Sequence, residues 1–328
     1  MEQIKTKIMA QKLGIAFNVK ELNARPYHLK NYYEIAERAD EVGLYYFAFP
    51  NMVSRGMAGV ETFAYISAIA ARTRNVKIGT DVWQIPLYHP IIIASRAATL
   101  DLISEGRFIC GVGTGWSPKE HETLGVPWHE RWERFDETIE IVKKLWTEPT
   151  VTYHGKFFTL EDVVCLKPVQ EPHPPIWVGG SSNAALRRAA KYGDAWGGLT
   201  WPFWGSKRAE KYSIKERIEK LKEYCKQFGR DPETIGVNLR VHANINPNRE
   251  KAIEDAMNHF LGVRKERVGG GGPAEYQIKS GVWGSAEVVI EKVKELYKLG
   301  ADLVVLWIMT TDMKSQWERV EKEIIPSM

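Results

Sequence analysis

Eight short apolar runs, each separated from the next by a stretch of helical periodicity, follow one another along this 328-residue chain. The runs lie at 13–19, 44–49, 76–80, from Arg107 onward, 176–178, 194–196, 235–245 and 302–309. Continuous apolarity of this kind suits strands buried on both faces of a parallel sheet. Between them apolar side chains return every three or four residues: Tyr32, Ile35, Ala36 and Ala39 within 28–42, and Phe135, Ile139, Val142 and Trp146 within 132–146. Further helices are read at 60–72, 91–103, 217–228, 250–261 and behind Ser285, where Val289, Val293 and Leu296 share a face. With no linker or shift of composition between the units, the pattern predicts an α/β fold, a single (β/α)8 TIM barrel occupying 1–328. Such barrels take about 250 residues, so a hairpin near 151–160, turning at Gly155, and a glycine-rich basic segment near 262–284 are read as insertions. A doubly wound sheet is the competitor. Gly111, Gly113 and Gly115 argue against it, because Trp116 stands where a dinucleotide fingerprint needs its last glycine.

Composition narrows the setting. A hydrophobic share of 44%, a charged share of 26% and a net charge of +4 are those of an ordinary globular protein with no bias toward nucleic acid. The three cysteines, Cys110, Cys165 and Cys225, are widely spaced and odd in number, which suits a reducing cytoplasm better than a disulfide framework. No apolar run approaches the roughly 20 residues of a membrane span, and no signal region follows the N-terminus. His121-Glu122 and His129-Glu130 lack a second histidine at the spacing of H-E-x-x-H, so no metal is expected.

In a barrel, ligands meet the C-terminal ends of the strands. That rule selects Phe17 and Asn18, Asn51 and Met52, Thr80 to Gln84, Gly113 to Trp116, Gly179 to Ser182, Gly197 to Thr200, His242, and Trp307 with Met309. Two successive strands end in glycine pairs, Gly179-Gly180 and Gly197-Gly198. After the first pair, Ser181 or Ser182 caps a helix with Ala185, Ala189 and Tyr192 on its apolar side. Backbone N–H groups at such a helix start, reinforced by the dipole, suit a phosphate. The lining is rich in aromatics, amides and glycines and poor in carboxylates, which fits a flat conjugated ring with a phosphate tail.

These residues also carry a family resemblance. Arg107-Phe-Ile-Cys-Gly-Val-Gly-Thr-Gly-Trp, Glu120, Gly125, Arg131, Leu145-Trp146, Tyr153-His-Gly, Lys167-Pro-Val-Gln and Pro175-Ile-Trp-Val-Gly-Gly-Ser-Ser-Asn-Ala-Ala-Leu-Arg-Arg-Ala-Ala resemble the bacterial luciferase-like superfamily, most closely its branch dependent on coenzyme F420. The resemblance implies a barrel, usually dimeric, and a phosphate loop on Val178, Gly179, Gly180 and Ser181, with Gly197 and Gly198 nearby. It implies a non-proline cis peptide at Asp81–Val82, a bulge behind the ring; Thr80, Asp81, Val82, Gln84, Gly113 and Gly115, among the strand ends selected above, are the further cofactor candidates. Departures are equally specific. Asn51-Met52 replaces an Asp-His pair found in several F420 enzymes, and Trp116 stands where the sugar-phosphate dehydrogenases carry a catalytic Glu, which disfavours sugar-phosphate oxidation. The candidates left for the chemistry are Asn51, Trp116 and His242, the last as proton donor. Arg264, Lys265 and Arg267 are read either as a basic lid or as a solvated loop. Three functions follow: an F420-dependent oxidoreductase acting on a small organic molecule, an FMN-dependent monooxygenase supplied by a partner flavin reductase, or a flavin-binding protein without turnover. The expected protein is a cytoplasmic homodimer that binds neither nucleic acid nor membrane.

Overall fold

The computed structural model describes residues 12–17, 29–51, 61–200, 212–265 and 278–328, with Leu29 and 261–265 described by backbone alone. Strands β1 (Lys12–Phe17), β2 (Tyr46–Phe49), β3 (Lys77–Thr80), β5 (Phe108–Gly113), β8 (Ile176–Gly179), β9 (Ala195–Leu199), β10 (Gly236–Ile245) and β12 (Leu303–Ile308) pair in that order, all in parallel, and β12 returns to β1. Following the registers once round displaces β1 against itself by eight residues, the shear of a (β/α)8 barrel. The expected fold is therefore the observed one. Around it lie α1 (Leu29–Glu41), α2 (Thr62–Arg72), α3 (Pro90–Ile103), α4 (Pro118–Thr123), α5 (Arg131–Thr147), α6 (Asn183–Tyr192), α7 (Ile214–Gln227), α8 (Arg249–Lys265), α9 (Ala286–Lys298) and α10 (Met313–Arg319).

The expected hairpin is present as β6 (Val151–His154) and β7 (Thr159–Val163), closed by Gly155 N–H donating to the Phe158 carbonyl at 2.9 Å. Two further strands, too short to leave a periodic signal, extend the barrel rim. β4 (Trp83–Gln84) pairs with the end of β5, and β11 (Val282–Gly284) pairs with the end of β10. Of the glycine-rich segment, 266–277 lies outside the described residues, and so do Asn18 and Met52.

Strand alternation divides the packing in two. Outward residues such as Ile15, Phe47, Ile78, Cys110, Val178, Trp196, Leu239 and Leu306 join the helices in the main core. Inward residues form a separate cluster of Ala16, Tyr46, Ala48, Ile109, Leu303 and Val305, with Trp177 and Trp307 packed against it. Below the strands, the buried guanidinium of Arg107 closes the C-terminal end of α2, donating to the carbonyls of Ala70 (2.8 Å), Thr73 (3.0 Å) and Val76 (3.0 Å). Those of Ala70 and Thr73 are carbonyls that a helix end leaves without intrahelical partners, and that of Val76 leads into β3. Among the described residues, no helix is long and apolar enough to cross a membrane.

Candidate active site

The C-terminal end of β3 organises the mouth. Thr80 is buried, and its hydroxyl donates to the Gly111 carbonyl at 2.7 Å, tying β3 to β5. The next peptide, Asp81–Val82, is cis, as the resemblance implies. Val82 then lies over two glycines: a Cβ on Gly113 would stand 2.6 Å from its Cγ2, and one on Gly179 would stand 2.7 Å from its Cγ1. The bareness of Gly113 and Gly179 thus makes room for Val82 in the first instance. Gly197 is different, because a Cβ there would meet nothing closer than 3.6 Å.

Asp81 is fixed from across the bore. Its carboxylate pairs with the guanidinium of Arg240, which stacks 4.8 Å over the Trp307 ring. Arg240 was absent from the sequence candidates although a signal existed, since it lies two residues before His242 on one strand and so shares its face. Beneath, Tyr46 packs 4.8 Å from Trp177, and burial pushes its phenol above the usual range, so it stays protonated.

A buried amide network links β2, β4 and α4. The Gln84 side-chain NH2 donates to the Asn51 carbonyl at 3.2 Å and to a Glu120 carboxylate oxygen at 3.1 Å. Tyr88 hydroxyl lies 3.4 Å from the Asn51 side-chain oxygen. Gly115 leaves room for this network, because a Cβ there would lie 2.3 Å from Gln84 Oε1. Trp116, the next residue, is half-buried in the same loop. Gln84 and Asn51 are therefore engaged with the protein itself at the rim.

His242 stands inside the mouth, 5.3 Å from the Trp307 ring and 5.6 Å from Phe260. Burial first, then the positive field of Arg240 and the neighbouring His259, hold its pKa well below the ordinary histidine value. The imidazole is therefore neutral near pH 7, with one ring N–H and one bare ring nitrogen. Among the described residues, no group of three or more His, Cys, Asp or Glu is placed to hold a metal ion.

The loop after β8 carries the residues expected to meet a phosphate. Gly180 turns the chain at φ +124°, a conformation open to glycine. Ser182 proves to be the cap of α6, its hydroxyl accepting from Ala185 N–H at 3.2 Å. That leaves Ser181, 8% exposed, with a buried hydroxyl that has no hydrogen-bond partner among the described residues. A buried hydroxyl without a partner, beside a helix start, has the chemistry to donate to an anion there. Val178 and Gly198, the remaining loop candidates, face the helical layer. Val178 sits in the main core, and a Cβ on Gly198 would meet the Trp196 ring at 2.6 Å. Neither offers a side-chain surface to the mouth.

Residues 14–303 match the model of the family described as luciferase-like monooxygenase. The FMNH(2)-dependent dimethylsulfone monooxygenase of Pseudomonas putida is 27% identical over 273 residues, covering 74% of this chain and 72% of that protein. The F420-dependent glucose-6-phosphate dehydrogenase of Microbacterium testaceum is 33% identical over 195 residues, covering 58% of this chain and 55% of that protein, little more than half its length. Among solved structures, the monooxygenase RslO1 from Streptomyces bottropensis superposes with a TM-score of 0.78 at 20% identity, covering 96% of this chain and 99% of that one, a likeness of fold.

Proposed function

The chain belongs to the luciferase-like monooxygenase family, and from that premise we propose that it is an oxidoreductase holding a phosphate-bearing flavin-type cofactor, coenzyme F420 in the leading reading. The observation that carries the proposal is the Gly180–Ser182 turn, with its orphaned Ser181 hydroxyl at the start of α6. The residues fit such a group. Ser181 and the first N–H groups of α6 would hold the phosphate. Val82, with the open surface at Gly197, would support a flat ring, and Trp307 with His242 would wall the substrate space.

When bound, a deazaflavin ring supplies hydride transfer, and an FMN ring supplies oxygen activation. The chain's own contribution is orientation, exclusion of water by Trp307 and its neighbours, and a neutral imidazole at His242 able to hydrogen-bond a substrate oxygen. Trp116 in place of a carboxylate supports a substrate other than a sugar phosphate. The FMN reading is favoured by the dimethylsulfone monooxygenase, whose similarity extends over more of the chain than that of the F420 relative. It would require a partner flavin reductase. The proposal takes the protein as a cytoplasmic homodimer acting on a small organic molecule.

Parallel absorbance titrations with F420 and FMN test it, followed by a screen of alcohols, enones and imines for bleaching or recovery of the F420 band. Tight F420 binding with little FMN affinity supports the leading reading. FMN binding alone, with oxygen consumed when a reductase is added, supports the second. Binding of neither overturns both.

A further inference from the structure

Gly180 is gripped twice by the neighbouring strand. Its N–H donates to the Gly197 carbonyl at 3.2 Å, and its carbonyl accepts from the indole N–H of Trp196 at 2.7 Å. Trp196 is fully buried on the outer face of β9, in the core shared by strands and helices. The Gly180 carbonyl is therefore drawn into that layer. The Gly180–Ser181 peptide is trans, so its N–H points opposite to its C=O. The N–H of Ser181 is thereby directed out of the layer, on the residue whose hydroxyl is orphaned. Gly198 belongs to the same device. A Cβ there would stand 2.6 Å from Cζ2 and 2.7 Å from Cη2 of Trp196, so its bareness leaves the indole room to reach Gly180.

We propose that Trp196 is a positioning residue for phosphate recognition: its indole N–H fixes the Gly180 carbonyl and so aims the Ser181 N–H at the phosphate, with Gly198 kept bare to admit the ring. The inference rests on the phosphate-bearing cofactor proposed above. It also gives a glycine that faces away from the mouth a part in binding, through a side chain that never touches the ligand.

The test compares two ligand pairs that differ in the phosphate end: FMN with riboflavin, and F420 with its phosphate-free ribityl deazaflavin. Affinities are measured on the full-length protein by fluorescence quenching. Three proteins are compared with wild type: Trp196→Phe, Gly198→Ala, and a chain with benzothienylalanine at position 196, which keeps the ring's shape and removes only its N–H. The preference for the phosphate-bearing member is expected to fall roughly tenfold in each, while the phosphate-free member binds as before. An amide spectrum of the isostere-bearing protein with Ser181 labelled should show its N–H losing the shift that FMN or F420 induces in wild type. If wild type prefers the phosphate-bearing member and the isostere keeps that preference, the positioning role is overturned and the cofactor reading stands. Equal loss for both members of a pair also overturns it, because Trp196 would then act only in packing. If wild type shows no preference in either pair, the phosphate reading itself falls, and this inference with it.

Discussion

Replacing Ser181 with alanine should strengthen the free protein and weaken the loaded one. The Ser181 hydroxyl is buried without a partner among the described residues, and such a group costs about 1–3 kcal/mol. Removing one oxygen forfeits some packing, so a net gain of about 1 kcal/mol is expected in the ligand-free protein. With an unfolding entropy near 2.1 cal/mol/K per residue, that gain raises the melting temperature of a 328-residue chain by roughly 1.5 °C. A hydrogen bond to a charged phosphate is worth about 1.5–3 kcal/mol, so affinity for F420 or FMN should fall by about tenfold or more. At a ligand concentration of about 100 wild-type Kd, wild type gains about 2.7 kcal/mol and a tenfold weaker variant about 1.4 kcal/mol. The two melting curves should therefore change places on adding cofactor. Differential scanning calorimetry in a phosphate-free buffer, with and without ligand, reads both effects. A variant less stable than wild type when ligand-free, or one with unchanged affinity, would refute the claim that this hydroxyl awaits an anion.

Two glycines on the same floor should answer oppositely to alanine. Gly179→Ala drives a methyl into Val82, whose neighbour Asp81 is held by Arg240, and should cost about 1–3 kcal/mol in urea unfolding. Gly197→Ala meets only ordinary contacts, so stability should stay within about 0.5 kcal/mol while riboflavin and FMN affinities fall together. Arg107→Met strands the carbonyls of Ala70, Thr73 and Val76 and should cost about 3 kcal/mol or more in the same assay. The imidazole of His242, with its pKa depressed in the folded state, binds its proton only in the unfolded chain as pH falls below the ordinary value near 6.5. Stability is thus lost toward acid, and His242→Gln should gain on the order of 1 kcal/mol on wild type between pH 7.5 and 5.5, measured as urea midpoints times m.

The barrel was legible because its signal is local. Apolar runs and helical stripes mark each strand and helix, and the fold rule then names the strand ends. The two serines after Gly180 were legible only as a pair. Capping chemistry is shared by both, and the backbone turn decides that Ser182 closes the helix while Ser181 is left over. The reason for Gly113 and Gly179 was hidden, since a bare position in sequence reads the same whether a ligand or Val82 fills the space. The Arg240–Asp81 pair joins residues 159 apart in the chain, and no local pattern announces such a partner. His242 was found by position, but its charge state depends first on burial, and then on Arg240 beside it and on His259; the burial and His259 come only with the folded packing.

The Asp81–Arg240 pair has a consequence for traffic. β3 and β10 lie on opposite sides of the eight-strand ring, so the pair is a strut across its full width, with Tyr46 and Trp177 stacked beneath it. The barrel is consequently a cup with a solid bottom. A planar molecule resting against Val82 would cover that bottom, and a second reactant must then arrive from above and depart the same way. Under the proposed reading, cofactor would enter first and substrate second.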